Sequence, residues 1–545
     1  MDDDVYDGFG DRPIGEFAVA SPLASGTQRE LSRFLRRVLR QDPIPGLSVA
    51  VVRPDGEAYT DAVGSRDLAG NRAVSPDTLY PIGSVSKSIT ATAVLQLADA
   101  GMLSLDDPLT DHLDFDIKPG ASDGPQRGET GSGEEPVRIH HLLTHTSGYP
   151  SLGVSEALIA RRTRRGEPGI PLGDREDFHA HVADAWPERT APPGDEWQYC
   201  NTGYCLLGEI VEGHTGVAFS EYVDDHVFTP LGMQRATFDD GEFARDADAA
   251  TPYLIDEGEL TPASLPTREV SYPAGGVLTS VREVGTYLRC QLQRGSLDGT
   301  QLLPTSRSDQ LHEGRVDTPA GSYGYGWRTR EVCGQTVVGH SGSVAVSSAY
   351  AGFAPEADLA VAVAANSSPE YPLRAIGEAV LAIALGERPV VAVPFWQRRR
   401  LFARLTGRYV SYRGVKPAAV FRDGGTLRVE YGGPLGGGSV PLRPDGTGSE
   451  SETKASSESD SEPGPQTGTG TGSETLNCGD PTALSDGDVV TFTTLPPDGT
   501  EGTAEFRFSA DGIDLLVDRW HLHKVRDDPL QLDADRDRSV TSRDR

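Results

Sequence analysis

Residues 80–101, YPIGSVSKSITATAVLQLADAG, carry the stretch whose reading decides the fold. Small and apolar residues up to Gly101 predict a helix, read here as amphipathic, set behind two serines and a lysine. Lysine is scarce in this chain: it stands only at positions 87, 118, 416, 454 and 524, and arginine supplies the rest of the 50 basic residues. A lysine kept here points to chemistry that arginine does not perform, because a guanidinium stays protonated whereas an ammonium at a positive helix N-terminus releases its proton more readily. Ser84 and Lys87 are three apart, which on a helix puts both side chains on one face. The plainer alternative makes Ser84 an N-cap and Lys87 an ordinary cation, and S-x-x-K alone is too common to choose between them.

The composition narrows the rest. A chain of 545 residues is too long for one core, so several domains are expected. The net charge of -31, from 81 acidic against 50 basic residues, repels phosphate backbones and anionic lipid, so neither nucleic acid nor a membrane is expected as partner. Acid excess with scarce lysine resembles proteins adapted to concentrated salt. The acidic start MDDDVYDGFGDRPIGEF has no apolar core of a secretory signal. The pair Arg36-Arg37 is followed by Arg40, Asp42 and two prolines in place of an apolar run, so it reads as part of a surface helix. With no apolar span of membrane length, a cytoplasmic location is expected. Cysteines 200, 205, 290, 333 and 478 are odd in number and lack metal-ligand spacing, which suits reduced thiols.

Along the chain, residues 27–41 predict a helix, and GLSVAVVRPDGEAYTDAVG predicts two strands joined at Pro54-Asp55-Gly56. Near the far end of the same region, QTVVGHSGSVAVSSAYAGFAPEADLAVAVAANSS predicts three more strands and LRAIGEAVLAIALG a closing helix. The expected fold class is therefore α+β: one antiparallel sheet built from both ends of a domain, flanked by helices, with a helical lobe from the middle. From about residue 400 seven short alternating runs, from GRYVSYR to IDLLVDRWHLHKV, predict a separate small all-β barrel. The expected division is 1–26 flexible, 27–390 the main domain, 391–530 the barrel with a disordered insert at 444–475, and 531–545 a disordered tail. A surface loop is expected at 118–136.

Two further motifs keep company with Ser84 and Lys87. Tyr199-x-Asn201 precedes a helix-like run, and His340-Ser341-Gly342 lies on a predicted strand. The order SxxK, YxN, HxG resembles the serine β-lactamase and penicillin-binding-protein superfamily. The resemblance is to its class C β-lactamase, peptidase and esterase branch, and it extends over HHLLTHTSGYP, LGMQRATFD, YPAGGVLTSVREVGTYL and YGYGWRTRE, roughly residues 30–390. It implies a β-lactamase/transpeptidase-like fold with Ser84 as acylating nucleophile. Lys87 and Tyr199 would share the acid–base work, with the acylation base left open between them, and Asn201 would position the substrate amide. His340 and Gly342 would line the substrate site, and the backbone N–H groups of Ser84 and Ser343 would form the oxyanion hole. No cofactor and no metal is implied. The trailing barrel, opening with LTGRYVSYRG, resembles the lipocalin-like module of some relatives, and homo-oligomer formation is left open.

One departure matters: where many relatives carry Lys-Thr-Gly, this chain has His340, which is mostly uncharged near neutral pH and holds a carboxylate less firmly. The expected activity is thus hydrolysis of small amides, D-amino-acid-containing peptides or esters. β-Lactam hydrolysis is the weaker alternative, and a non-catalytic ligand-binding protein on the same fold is the rival from another class. The remaining motifs read as decoys. GHSGS at 339–343 nearly matches a nucleophile elbow but is followed by strand sequence instead of a helix, so Ser341 is not taken as nucleophile. His140, His141 and His145 have no acidic partner within the adjacent turn and read as a buried polar network. His521 and His523 alternate on a strand and read as residues of the barrel face, and Cys200 reads as a small buried side chain.

Overall fold

The computed structural model describes residues 22–115, 135–163, 172–266, 268–432, 438–444, 483–494 and 501–527. The segment 1–21, the tail and the bulk of the loop and insert expected at 118–136 and 444–475 lie outside the described residues. The chain forms two compact units, Met1–Gly386 and Glu387–Arg545.

The first unit is built on a nine-stranded sheet. Its strands are β1 (Gly46–Arg53), β2 (Gly56–Asp67), β3 (Arg72–Ala73), β4 (Val316–Thr318), β5 (Gly321–Tyr323), β6 (Arg328–Val332), β7 (Gln335–Ser343), β8 (Ser348–Ala354) and β9 (Leu359–Ala365), in the order β4-β5-β6-β7-β8-β9-β1-β2-β3. The pairing is antiparallel throughout, and β1 joins β9 with Val49 opposite Val363, so the two ends of the domain share one sheet as expected. β8 and β9 are buried along their whole length, which explains their unbroken runs of Ala, Val and Phe. Helix α1 (Ser25–Gln41) starts two residues before the sequence suggests, and buries Leu31, Phe34, Leu35 and Val38 while Arg36 and Arg37 stay exposed.

The helix after the SxxK motif corrects one expectation. Helix α2 (Ser86–Asp99) is buried almost all round, from Ser86 through Leu95 and again at Leu97 and Ala98, so it is a central helix of the helical lobe and not amphipathic. Its polar face survives burial because each hydroxyl has a nearby partner: Ser88 donates to Val85 O at 2.8 Å, Thr90 to Pro273 O at 2.7 Å and Thr92 meets the Tyr287 hydroxyl at 3.1 Å. Helices α3 (Ile139–Thr144), α4 (Asn201–Thr215), α5 (Val281–Leu292) and α6 (Arg374–Ala384) complete the frame used below. α5 packs on β1, β8 and β9, and α6 packs on β8 and β9.

The second unit is a closed eight-stranded barrel, formed by β10 (Gly407–Ser411), β11 (Pro417–Asp423), β12 (Thr426–Tyr431), β13 (Gly438–Pro444), β14 (Val489–Thr494), β15 (Gly502–Ser509), β16 (Gly512–Val517) and β17 (Trp520–Arg526). The last of the seven predicted runs is two strands, because Asp518 adopts a φ of 53° and turns the chain back between Val517 and Trp520. Inward side chains, among them Tyr409, Val429, Phe492, Phe506 and Leu522, fill the barrel.

Burial makes one part of the first unit pH-sensitive. His312 packs edge-on against Phe353, its Nε2 lies 2.8 Å from Gln291 Oε1, and desolvation pushes its pKa down to about 4. An unfolded chain titrates this imidazole at about 6.5, so between these values the unfolded state binds more protons and stability falls as pH falls. His312→Gln removes that term. The difference in Tm between wild type and His312→Gln therefore shrinks from about pH 7 to about pH 4.5, and a pH-independent difference contradicts the neutral, half-buried imidazole.

Candidate active site

Ser84 sits in a single 3-10 turn, Gly83–Val85, that runs directly into α2. Gly83 has a φ of 53°, a left-handed conformation that costs glycine nothing and lets the chain reverse into the helix. Behind the turn, Ile82 N donates to Val277 O and Val277 N to Ser86 Oγ, which tie it to the segment before α5. One helical turn after Ser84, the Lys87 side chain is fully buried.

Lys87 organises the site. Its Nζ lies 2.7 Å from Asn201 Oδ1, 2.6 Å from the Ala274 carbonyl and 3.0 Å from Ser84 Oγ. The first two partners only accept hydrogen bonds, so each takes one N–H. The third position of the amine faces Ser84 Oγ, as an N–H in the ammonium or as a lone pair in the free amine. Asn201 opens α4, and its Nδ2 also reaches Glu156 Oε1 at 3.3 Å. The Tyr199 ring stands over the ammonium, with Nζ 5.0 Å from its centroid. The structure thus brings Ser84, Lys87, Tyr199 and Asn201 together.

The HxG strand completes one wall. β6 pairs with β7 only as far as Arg328 opposite Gly339, so among the described residues that edge of β7 has no strand beside it from His340 to Ser343. At its end β7 crosses the nucleophile turn at close range: a Cβ added at Gly342 would lie 1.8 Å from Ile82 O and 2.9 Å from Ser84 N. Only glycine permits this approach, which sets the Ser343 backbone beside Gly83 and Ser84.

His340 points into a buried chain of neutral groups. Cys200 N–H donates to His145 Nδ1 at 3.1 Å, so His145 carries its proton on Nε2 and donates to the Tyr323 hydroxyl, 3.1 Å away. At the other end His340 Nδ1 lies 2.6 Å from the Ser341 carbonyl, which only accepts, so His340 Nε2 receives the Tyr323 hydroxyl proton at 3.1 Å. Burial and then the positive charge of Lys87 hold both imidazoles well below the ordinary value, and burial raises the Tyr323 phenol well above its own. His340 is therefore an uncharged imidazole. The positive charge on this wall comes from Arg328, whose guanidinium stacks 4.9 Å from the Trp197 centroid, 5.2 Å from Tyr323 and 5.9 Å from Tyr199. Among the described residues no carboxylate is paired with it.

Sequence reading missed Tyr323, Arg328 and the Ala274 carbonyl, which lie outside the three motifs, and Trp197, which stands two residues before Tyr199. YGYGWRTRE was a visible signal, since it holds both Tyr323 and Arg328. Of the three neighbouring histidines, His145 joins this network, whereas His141 Nδ1 accepts from Arg138 N and His140 Nδ1 lies 3.0 Å from Leu105 O. The His140 and His141 rings meet edge to face at 4.1 Å, and His140 Nδ1 also lies 3.2 Å from Asp106 Oδ1, an acidic partner from outside the adjacent turn; among the described residues the three histidines form no shared ligand set. Cys200 is buried, and Ser341 lies on β7 with no helix after it. The packing at Gly342 is testable by thermal melting: Gly342→Ala overpacks the turn and costs about 1–3 kcal/mol or more, whereas an unchanged Tm contradicts the close approach.

Comparison with known proteins gives this geometry a family. Residues 31–385 match the Beta-lactamase family, and residues 389–462 match the Pab87 octamerisation domain. The chain is 27% identical to Protein flp of Staphylococcus aureus (strain MW2) over 351 residues, 64% of this chain and 65% of that protein, a little under two thirds of its length. It is 30% identical over 339 residues to Penicillin-binding protein 4 of Amycolatopsis lactamdurans, 59% of this chain and 81% of that one. Among solved structures, the octameric penicillin-binding protein homologue from Pyrococcus abyssi superposes with a TM-score of 0.76 at 30% identity, over 91% of this chain and 99% of that one. With a family match over residues 31–385 and this shared fold, the chain belongs to the Beta-lactamase family.

Proposed function

We propose that this protein is a serine hydrolase that forms an acyl-enzyme at Ser84 and acts on small amides, D-amino-acid-containing peptides or esters. The observation that carries the reading is the Lys87 amine, fixed by two pure acceptors so that its remaining position faces Ser84 Oγ at 3.0 Å. In this mechanism the free-amine form of Lys87 is the reactive one: its Nζ lone pair takes the Ser84 hydroxyl proton as Oγ attacks the substrate carbonyl, which makes Lys87 the ammonium. The N–H groups of Ser84 and Ser343 receive the oxyanion. Tyr199 returns a proton to the departing amine or alcohol, and Asn201 holds the substrate amide. Water then hydrolyses the acyl-enzyme by the reverse route. His340 and Gly342 line the site, His340 as a neutral group.

A neutral His340 leaves Arg328 as the cation available to a substrate carboxylate on this wall. That favours peptides with a free carboxylate within the amide class, and it gives a β-lactam no ammonium at the third motif. The reading is tested with three chromogenic substrates, an activated ester, a D-aminoacyl anilide and a cephalosporin, in multimolar KCl. Wild type turns over at least one of them and Ser84→Ala none; equal rates in the two proteins sink the proposal and move the ligand-binding alternative ahead. Arg328→Gln raises KM about tenfold for a carboxylate-bearing amide while leaving an uncharged ester nearly unchanged. An equal effect on both contradicts the role given to Arg328.

We further propose that the unit Glu387–Arg545 drives self-association into an octamer. Its support is the matched octamerisation domain, the octameric homologue, and the exposure of Tyr412, Val415, Val489 and Val525 on this unit. Light scattering on the purified protein in high salt gives a mass of eight 58.1 kDa chains, and a monomer at micromolar concentration contradicts the assembly.

A further inference from the structure

The outer face of the barrel carries a group of side chains that the hydrolase reading does not use. Asp514 lies on β16 and His523 directly opposite it on β17; His521 is two residues earlier on β17 and therefore points to the same side. His521 Nε2 lies 3.0 Å from Asp514 Oδ2 and His523 Nδ1 lies 2.7 Å from Asp514 Oδ1, so the carboxylate is gripped on both oxygens. The imidazole rings stand 4.5 Å apart, and one donor atom from each of the three residues lies within 4.8 Å of the other two. Arg507, opposite Asp514 on β15, does not claim this carboxylate: its Nε and Nη2 both bind Glu505 Oε2, at 3.0 and 2.6 Å. Asp514 is thus left to the two histidines.

We infer that Asp514, His521 and His523 form a binding site for a divalent transition-metal ion of the zinc type on the barrel surface. Two imidazole nitrogens and one carboxylate oxygen are a borderline donor set that suits zinc, cobalt or nickel, whereas calcium and magnesium call for oxygen ligands throughout. The strand register already holds the three donors on one side, so binding needs a contraction of the group and no change in backbone pairing. Each neutral histidine moves its proton to the ring's other nitrogen, and the nitrogen now facing Asp514 takes the metal. Three protein ligands leave a further coordination position, and both histidines are more than half exposed, so that position is open to water or to a donor group from solution. The ion would cross-link β16 to β17.

The test is zinc titration of the untagged full-length protein by calorimetry, paired with the visible spectrum of the cobalt form. Wild type takes up one zinc per chain more than the His521→Gln/His523→Gln double variant does, and its cobalt spectrum has d–d bands that the double variant lacks. Because both residues face solvent, the variant keeps its barrel, which far-UV circular dichroism checks. If it does not fold, Asp514→Asn serves instead and lowers the site's zinc affinity about tenfold or more. Equal zinc uptake by wild type and a folded variant, or no uptake by wild type, overturns the site and reduces the group to a hydrogen-bonded Asp–His pair of contacts.

Discussion

A buried lysine is the constraint around which the first unit is arranged. An ammonium removed from water costs several kcal/mol unless acceptors replace the lost solvent, and Lys87 obtains them from Ser84 Oγ, Asn201 Oδ1 and the Ala274 carbonyl. Those partners come from the turn before α2, the first residue of α4 and the segment before α5. The three pieces of chain must converge on one nitrogen, and the sheet is what lets them do so. α5 lies on β1, β8 and β9, and the end of β7 presses against the nucleophile turn through Gly342. Removing the lysine would take from Asn201 Oδ1 and the Ala274 carbonyl the donor they share. The same requirement explains the polar yet buried character of α2, whose hydroxyls are each satisfied locally.

Charge in the site is segregated. Cys200 N–H, His145, Tyr323, His340 and the Ser341 carbonyl form an ordered chain in which every proton has one direction, and no member carries charge. Two basic side chains lie near the Tyr199 ring, Lys87 with Nζ 5.0 Å and Arg328 with its guanidinium 5.9 Å from the centroid. In the mechanism proposed above Lys87 handles protons and Arg328 attracts substrate. Neutral imidazoles at His145 and His340 avoid the repulsion that a further cation near Lys87 and Arg328 would introduce. A histidine at the third motif is therefore consistent with the whole wall and is not an isolated substitution.

Much of this was legible in the sequence, for physical reasons that also set the limit. The Ser84–Lys87 spacing is local and survives as a contact. The alternation of β2 and the unbroken apolar runs of β1, β8 and β9 made the sheet visible, because strand pattern reports burial directly. The burial of α2 was not legible, since its Ser, Thr and Ala residues look like a solvated face until Pro273 and Tyr287 are brought to them. Tyr323 and the Ala274 carbonyl reach His145 and Lys87 from 178 and 187 residues away in sequence, and Arg328 reaches the Trp197 and Tyr199 rings from a similarly remote segment, distances over which spacing carries no information. The barrel offers the same lesson on a small scale. Alternation put His521 and His523 on one side, but their carboxylate comes from the neighbouring strand, and the turn at Asp518 that brings it there has no glycine to mark it.

The most direct test of the central claim, that Lys87 activates Ser84, is intact-mass and peptide mapping after brief exposure to a fluorophosphonate, which traps activated serines whatever the natural substrate. The account predicts one adduct per chain, on the peptide containing Ser84, and its loss in a folded Lys87→Gln variant. Labelling of Ser341 instead, or equal labelling of Ser84 without the lysine, would contradict it.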